Sequence, residues 1–331
     1  MNEHDAMGAA IAAASRVRLV TSPNPWVGAA IVRDGAVIAT GGTEPPGGRH
    51  AEIVALEAAG HAADGATLVS TLEPCSHHGR TPPCTDRIID SGVSRVIVGI
   101  GDPDPMVAGT GVAALREAGI AVTIGVRAAE IERQLQPYLH QRRTGRPYVV
   151  AKIATTLDGA SAAPDGSSQW ITGADARRDA HRLRAESDAI LVGAGTVRSD
   201  DPALTVRHVE GPDPRRVVLG TAPPTAKAQP CLEWSGPLAD LLDRLGSEGV
   251  LQLMIEGGAR TIGSFHDAGL VDRYIVYVAP ALMGNAEGLP AIGGSGAPTI
   301  DDLWRGRIDS AEPVGDDLRI ELVPHSDRST C

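Results

Sequence analysis

The chain is 331 residues long, which is enough for two domains of ordinary size. Hydrophobic residues make up 42 % of it and aromatic residues only 3 %, so each domain is expected to have an aliphatic core. The formal net charge of −11 argues against a general nucleic-acid-binding or membrane-surface protein, because such proteins carry an excess of basic residues.

The first half of the chain alternates between strand and helix patterns. A hairpin is predicted over 27–40, with its turn at Arg33-Asp34-Gly35. Strands are then expected over 66–72, 95–100 and 120–126, and helices over 51–60, 85–91 and 110–118. This alternation is typical of an α/β layer sandwich.

A polar segment over 127–146 follows, and we interpret it as the connector between two domains. The alternation then restarts. Strands are predicted over 148–154, 189–192, 216–219, 250–255, 273–278, near 307 and over 318–323, and helices over 174–186, 237–245 and 259–268. No strand is predicted between 220 and 236. The expected domains are therefore 1–146 and 147–325.

One histidine and two cysteines have the spacing of a zinc site. His50 stands at a predicted helix start, Cys75 follows a strand and Pro74, and Cys84 lies nine positions further on. One imidazole and two thiolates suit a tetrahedral zinc ion whose fourth ligand is water. Zinc lowers the pKa of that water, and Glu52 is close enough in sequence to move its protons without binding the metal. We therefore predict one catalytic zinc ion per chain, with Glu52 as the catalytic residue.

His-x-Glu followed by Pro-Cys is typical of zinc deaminases that act on nucleobases, although eight residues separate the two cysteines here instead of two. The long segment 75–84, together with 23–28 and 101–105, resembles the deaminase half of the bifunctional riboflavin-biosynthesis deaminase/reductase family. That resemblance implies a cytidine-deaminase-like α/β/α sandwich. The substrate contacts that it implies are Asn24, His77, Arg80, Asp102 and Asp104.

Two of these residues depart from the family's usual pattern. Arg80 stands where lysine is common, and Asp104 stands where asparagine is common. A carboxylate cannot donate a hydrogen bond as an amide does, so the role of Asp104 differs from the usual one. For Asn24 and Asp102 the alternative is turn formation beside proline.

Three further segments predict the chemistry of the second half: 152–159, 167–172 and 193–207. No Gly-x-Gly-x-x-Gly and no P-loop occurs, so a Rossmann dinucleotide site is unsupported. A glycine-rich loop at 193–195 after a strand, and Glu256-Gly257-Gly258 before a helix, are able to present backbone N–H groups to phosphate. Tight turns are the alternative interpretation of both.

Together these segments resemble the reductase half of the same family, which is related to dihydrofolate reductase and uses NADPH. The resemblance implies a dihydrofolate-reductase-like α/β domain. The cofactor contacts that it implies are Ala154, Trp170, Thr196, Asp200, Gly258, Ala259, Arg260, Thr261, Ile262, Gly263 and Ser264. The implied substrate contacts are Ser168, Arg184, Leu204, Arg207 and Glu256, and Lys152 is added as one of only two lysines. Arg184 and Arg207 are expected to clamp a phosphate.

The resemblance implies a bifunctional enzyme. It would remove the 2-amino group of 2,5-diamino-6-(5-phosphoribosylamino)pyrimidin-4(3H)-one and then reduce the ribosyl group to ribityl with NADPH. Its expected partner is this phosphoribosylated pyrimidine, with no nucleic acid and no membrane. We expect a homodimer by resemblance. We also expect a cytoplasmic location, because neither a leader pattern nor a long apolar run occurs.

Two alternatives stay open at this point. One is an active deaminase with a degenerate reductase domain, and the other is a non-catalytic zinc-containing nucleotide-binding module. Lys152, Asp200 and Glu256 are the candidate proton donors of the reduction.

Overall fold

A computed structural model describes residues 2–77, 82–105, 107–284 and 287–325. The chain divides into two units, Met1–Gly145 and Arg146–Cys331, each with its own sheet. The elements of the first unit are α1 (Glu3–Val17), β1 (Gly28–Arg33), β2 (Ala36–Gly42), α2 (Ala51–Ala59), β3 (Thr67–Leu72), α3 (Cys84–Asp90), β4 (Arg95–Ile100), α4 (Thr110–Glu117), β5 (Ala121–Ile124), α5 (Ala128–Gln134) and α6 (Gln136–Thr144).

The sheet of the first unit has the order β2-β1-β3-β4-β5. The hairpin β1–β2 is antiparallel and closes at Asp34 and Gly35, which both have positive φ, as a two-residue turn requires. Strands β3, β4 and β5 run parallel. In both β3 and β4 the last five residues are buried, so helices cover both faces of the sheet, as the α/β pattern predicts.

The segment 127–146 is not a connector, and that interpretation was wrong. It forms α5 and α6 of the first unit, with Ile131, Leu135, Tyr138 and Leu139 buried. These four residues form an apolar stripe with helical spacing, which the many charged residues between them conceal. Helix α1 was not predicted either, although Ala6, Ala10, Ala13 and Ala14 form its buried face.

The second unit continues the alternation of strands and helices. Its elements are β6 (Tyr148–Thr156), β7 (Ala160–Ala162), α7 (Ala174–Ala185), β8 (Ala189–Gly193), α8 (Ala194–Asp200), β9 (Arg215–Leu219), β10 (Leu232–Trp234), α9 (Leu238–Ser247), β11 (Gln252–Ile255), α10 (Ala259–Asp267), β12 (Arg273–Ala279), β13 (Leu289–Pro290), β14 (Gly306–Val314) and β15 (Asp317–Pro324).

The main sheet of this unit has the order β10-β9-β8-β11-β6-β12-β15-β14, while β13 and β7 form a separate pair. The strands from β10 to β12 are parallel, and β15 and β14 are antiparallel additions. One face packs on α9 and α10 through Leu241, Leu245 and Phe265, and the other packs on α7 through Ala180 and Leu183. Both faces of the sheet are therefore covered.

Two details of the second unit correct the sequence interpretation. The expectation of no strand between 220 and 236 was wrong, because Leu232–Trp234 pairs in parallel with β9. Three residues between proline-rich turns are too short for a periodic signal. The glycine-rich segment that starts at Gly193 is a helix from Ala194 onward, so it is a loop only in its later part. In the described part of the chain, no helix is long and apolar enough to cross a membrane.

Candidate functional site

Three elements bring the predicted zinc ligands together. His50 is the N-cap residue of α2, Cys75 follows β3, and Cys84 begins α3. Their ligand atoms all lie within 4.8 Å of one another, and His50 Nδ1 is 3.2 Å from Cys84 Sγ and 3.5 Å from Cys75 Sγ. A tetrahedral zinc ion separates a nitrogen ligand from a sulfur ligand by about 3.5 Å. The donor atoms and their spacing therefore fit zinc.

The two thiols of the cluster differ in their electrostatics: the contact with Cys75 and burial raise the pKa of the Cys84 thiol, whereas the pKa of Cys75 is lowered. A hydrogen bond from the Cys84 thiol, helped by His50, lowers the pKa of the Cys75 thiol. The backbone N–H of Cys84 also donates to Cys75 Sγ at 3.5 Å. Since the thiolate is the form that binds metal, these contacts prepare Cys75 for zinc.

Glu52 lies beside the cluster on the first turn of α2. It is only 3 % exposed, and its Oε2 is 3.6 Å from Cys84 Sγ. Burial raises the pKa of its carboxyl group. A buried carboxyl group that lies beside the metal ligands is in the position that general acid–base catalysis requires.

A cavity of about 340 Å³ opens onto His50, Glu52 and Cys75. Four of the predicted substrate contacts are among its lining residues: Asn24, His77, Asp102 and Asp104. Arg80, the fifth, lies outside the described residues.

Two residues of α6 that sequence reasoning missed also line this cavity. Tyr138 donates from its hydroxyl group to both carboxylate oxygens of Asp102, at 3.1 Å each. Arg142 places Nε 3.5 Å from Asp104 Oδ2. The sequence signal that could have located these two residues was the apolar stripe of α5 and α6. The interpretation of the segment as a connector overlooked that stripe.

Glu73 is another residue that sequence reasoning missed. It is 5 % exposed, and its carboxylate accepts hydrogen bonds from the backbone N–H groups of Asp102 at 3.3 Å, Gly109 at 3.1 Å and Val112 at 3.0 Å. Because Glu73 lies two residues before Cys75, one carboxylate holds the loop of Asp102 against the metal-binding segment. A carboxylate directly after a buried strand was the only signal for it.

In the second unit three of the predicted cofactor residues, Thr196, Gly258 and Thr261, lie together where the parallel strands β8 and β11 end. A Cβ atom at Gly193 would lie 2.6 Å from Thr261 Oγ1, and one at Gly257 would lie 2.7 Å from Thr261 Cβ. Gly258 donates its N–H to Thr196 Oγ1 at 3.3 Å. Glycine therefore allows two strand–helix turns to approach each other, at the edge of the sheet where α/β proteins bind ligands. This backbone-lined cradle fits the phosphates of a dinucleotide.

The remaining cofactor predictions fall into two groups: six residues are exposed or half-buried, and two are buried. Trp170 is 68 % exposed, with the Arg177 guanidinium 4.6 Å from its ring centre, and Asp200 and Arg260 are also exposed. Ala154 and Ala259 are half-buried and Ser264 is exposed. Ile262 instead belongs to the core, and Gly263 packs against the backbone of Gly293, so the structure gives these two a packing role.

Glu256 organises the predicted substrate residues. Its Oε2 accepts from Arg184 Nη2 at 2.7 Å, and its Oε1 lies 3.5 Å from Lys152 Nζ. Burial alone would raise the pKa of Glu256, but the positive charges of Lys152 and Arg184 lower it below its usual value. An ionised Glu256 is a poor proton donor, which leaves Lys152 and Asp200 of the three candidates; of these, only Lys152 contacts Glu256, because Asp200 is exposed on α8.

The other predicted substrate residues differ in their exposure and in the contacts that they already make within the protein. Arg184 also donates to the Thr205 carbonyl, so its guanidinium is already engaged and acts through Glu256. Arg207 is exposed, and its backbone N–H donates to Nδ1 of the buried His181 at 2.9 Å. Ser168 is half-buried, and Leu204 packs in the core.

Comparison with known proteins covers both units. Residues 1–100 match the family model "cytidine and deoxycytidylate deaminase zinc-binding region", and residues 147–320 match the "RibD C-terminal domain". The riboflavin biosynthesis protein RibD of Mycobacterium tuberculosis is 43 % identical, with 96 % of each chain covered. That of Escherichia coli is 38 % identical, with 98 % of this chain and all of the relative covered.

Solved structures of RibD proteins also match this chain over nearly its full length. Acinetobacter baumannii RibD, form 1, superposes with a TM-score of 0.91 at 36 % identity, covering 97 % of this chain and 98 % of that one. A diaminohydroxyphosphoribosylaminopyrimidine deaminase/5-amino-6-(5-phosphoribosylamino)uracil reductase from Thermotoga maritima gives a TM-score of 0.87 at 32 % identity, with 97 % and 98 % covered. These matches confirm the predicted fold classes of both halves and the predicted zinc site.

Proposed function

The chain belongs to the RibD family of bifunctional deaminases and reductases of riboflavin biosynthesis, and from this premise we propose its substrate, its two half-reactions and the residues that perform them. The substrate is 2,5-diamino-6-(5-phosphoribosylamino)pyrimidin-4(3H)-one. In the first unit, water replaces its 2-amino group and ammonia leaves. In the second unit, NADPH supplies the hydride that reduces the ribosyl group to ribityl.

The observation that carries the deamination is the position of Glu52 beside the three zinc ligands. When bound there, zinc supplies Lewis-acid activation of water. Glu52 takes the proton of that water and delivers it to the departing amino group. Asn24, His77, Arg80, Asp102 and Asp104 hold the substrate.

Replacement of Glu52 tests the deamination. Glu52→Gln keeps the shape of the side chain but removes the proton carrier, so ammonia release is expected to fall by at least about 100-fold while one zinc ion per chain remains bound. Glu57→Gln, on the exposed side of the same helix, is the control. Ammonia release by Glu52→Gln at the rate of this control would contradict the mechanism.

The reduction is assigned to the cradle where β8 and β11 end. Thr196, Gly258 and Thr261 hold the phosphates of NADPH, with Ala154, Trp170, Asp200, Ala259, Arg260 and Ser264 as further cofactor contacts. Lys152, Ser168 and Arg207 contact the ribosyl substrate. Arg184 positions Glu256, whose carboxylate orients Lys152. The segment 220–236, in which no strand was predicted, contains β10, so a missing strand there does not speak for a degenerate reductase domain.

The two lysines of the chain provide a matched test of this assignment. Lys152→Met is expected to lower NADPH oxidation with the deaminated substrate by about 100-fold or more, because it removes a polar group at the reacting sugar. Lys227→Met is the control, since Lys227 is exposed and paired with Asp201. Ammonia release should be unchanged in both variants. Equal rates of NADPH oxidation in the two variants would overturn the assignment of Lys152.

The assembly and location are also proposals. Strand β14 lies at the edge of its sheet, with Ile308 58 % exposed, and edge strands of this kind commonly pair with another chain. We propose that two copies pair there as a homodimer, which sedimentation should report as twice the chain mass. We propose a cytoplasmic location, and the net charge of −11 supports the absence of a nucleic-acid partner.

A further inference from the structure

The cavity beside the zinc ligands has one strongly basic side chain among its described lining residues, and that side chain is Arg142. Four carboxylates share the wall with it. Glu52 lies at the metal cluster, Glu73 accepts from backbone N–H groups, and Asp102 accepts from Tyr138. Asp104 pairs with Arg142. The guanidinium is therefore the one permanent positive charge that this part of the wall offers to a ligand.

Neighbouring side chains hold Arg142 in place without accepting hydrogen bonds from all of its N–H groups. Its Nη1 donates to Gln141 Oε1 at 2.7 Å, and its Cζ lies 5.0 Å from the centre of the Tyr138 ring. Its Nε is 3.5 Å from Asp104 Oδ2 but makes no hydrogen bond with any described residue, and 30 % of the side chain is exposed. A guanidinium fixed in this way has N–H groups to spare for a bound molecule.

We propose that Arg142 is a substrate-binding residue of the deaminase and that it acts as one unit with Asp104. The guanidinium donates to an acceptor on the substrate, and the adjacent carboxylate accepts from a donor on the same part of the substrate. This inference rests on the proposed function, because it concerns the substrate of that reaction.

The pairing indicates which chemical group it recognises. A phosphate offers only acceptors, and the carboxylate of Asp104 would repel it at this distance. A neutral group that carries both a donor and an acceptor satisfies both partners. The sugar hydroxyls and the N–H/C=O edge of the pyrimidine both have this chemistry.

A double-mutant cycle tests the pair on the zinc-loaded full chain. Arg142→Met is expected to raise the KM for deamination by about 10- to 100-fold, the effect of losing a charged hydrogen bond, with a much smaller change in kcat. Asp104→Ala, which removes the acceptor, should raise KM as well. Because the two side chains act together, the combined variant should fall short of the product of the single effects by about fivefold or more. Arg143→Met is the matched control, because Arg143 is the exposed neighbour on the same helix.

Two fragments distinguish the possible sources of the recognised group. Ribose 5-phosphate carries the sugar hydroxyls, and 5-aminouracil carries the pyrimidine edge. The fragment whose calorimetric affinity is weakened in Arg142→Met, but not in Arg143→Met, identifies the group. If both fragments bind the two variants equally well, the proposal is overturned.

The remaining outcomes are also decisive. A KM for Arg142→Met equal to that of Arg143→Met, or single effects that simply multiply, would contradict the proposal. If Arg142→Met fails to fold, Arg142→Lys replaces it; this variant keeps the charge, loses the planar fork and should give an intermediate KM, whereas an unchanged KM overturns the proposal. If the wild-type protein releases no ammonia, the proposed function fails, and the fragment affinities alone decide the role of Arg142.

Discussion

At the scale of single residues, Glu73 connects the metal-binding segment to the substrate loop. It accepts three backbone hydrogen bonds from residues that are 29 to 39 positions away in the chain. Gly111 packs so closely on this segment that a Cβ atom there would lie 1.9 Å from the Pro74 carbonyl oxygen. The position of Asp102 in the cavity therefore depends on a carboxylate that accepts hydrogen bonds from the backbone on both sides of the loop.

Glu73→Ala leaves three backbone N–H groups without their acceptor, at a cost of about 3 kcal/mol. This corresponds to amide hydrogen exchange about 100-fold faster at Gly109 and Val112, and the KM for deamination should rise as Asp102 loses its support. Hydrogen-exchange mass spectrometry of residues 101–112 measures the effect. Glu117→Ala, exposed on α4, is the control, and protection at the level of this control would show that Glu73 is dispensable.

The site residues that could be predicted are those that belong to a local motif. His50, Glu52, Cys75 and Cys84 come from short segments whose chemistry is specific enough to suggest zinc, and the fold places them together. Glu73 and Arg142 could not be predicted, because their roles depend on contacts with distant segments. Ile262 was assigned to the cofactor only because it lies within a run of implied contacts, whereas its helix turns it toward the core.

At the scale of elements, a network of charges links α7 to the strands β12, β15 and β14 of the main sheet. Arg273 on β12 pairs with Glu321 on β15 and with Asp309 on β14, the latter at 3.3 Å. Arg319 extends the network to Glu321 at 2.6 Å and to Asp179 on α7 at 3.0 Å. The side chains of all five are at most 17 % exposed, so each charge depends on its partners.

Arg273→Met removes one of the two arginines that pair with Glu321 and one of the two that pair with Asp309, so these carboxylates keep only Arg319 and Arg307, respectively. Because a largely buried carboxylate that loses one of its two cations is only partly compensated, we expect the free energy of unfolding of the second unit to fall by about 2 kcal/mol. Hydrogen exchange of β12, β14 and β15 would report the loss. Arg305→Met, in which an exposed arginine is replaced, should leave exchange unchanged. A loss no larger than in this control would mean that the network contributes nothing to stability.

Most elements could be predicted because hydrophobic periodicity is strong in buried strands and amphipathic helices. Strand β4 is an example, with its predicted and observed bounds both at 95 and 100. The exceptions have physical reasons. Strand β10 is three residues long, α1 is built mainly on alanine, and the apolar stripe of α5 and α6 is diluted by charged residues.

At the scale of the whole molecule, the two units carry separate chemistry. The zinc ligands, Glu52 and the cavity all belong to residues before Gly145, and the candidate NADPH and ribosyl contacts all follow Arg146. Each unit also has its own sheet. Loss of one activity should therefore leave the other intact when each is supplied with its own substrate.

The most direct measurement of this central claim removes the metal and follows both reactions in the same preparation. Chelation of zinc should abolish ammonia release, and added Zn²⁺ should restore it, because His50, Cys75 and Cys84 are the residues proposed to hold the ion that would activate water. NADPH oxidation with the deaminated substrate should continue at its original rate throughout. Ammonia release that persists in protein shown to be free of zinc, or NADPH oxidation that is lost and restored together with it, would contradict this account.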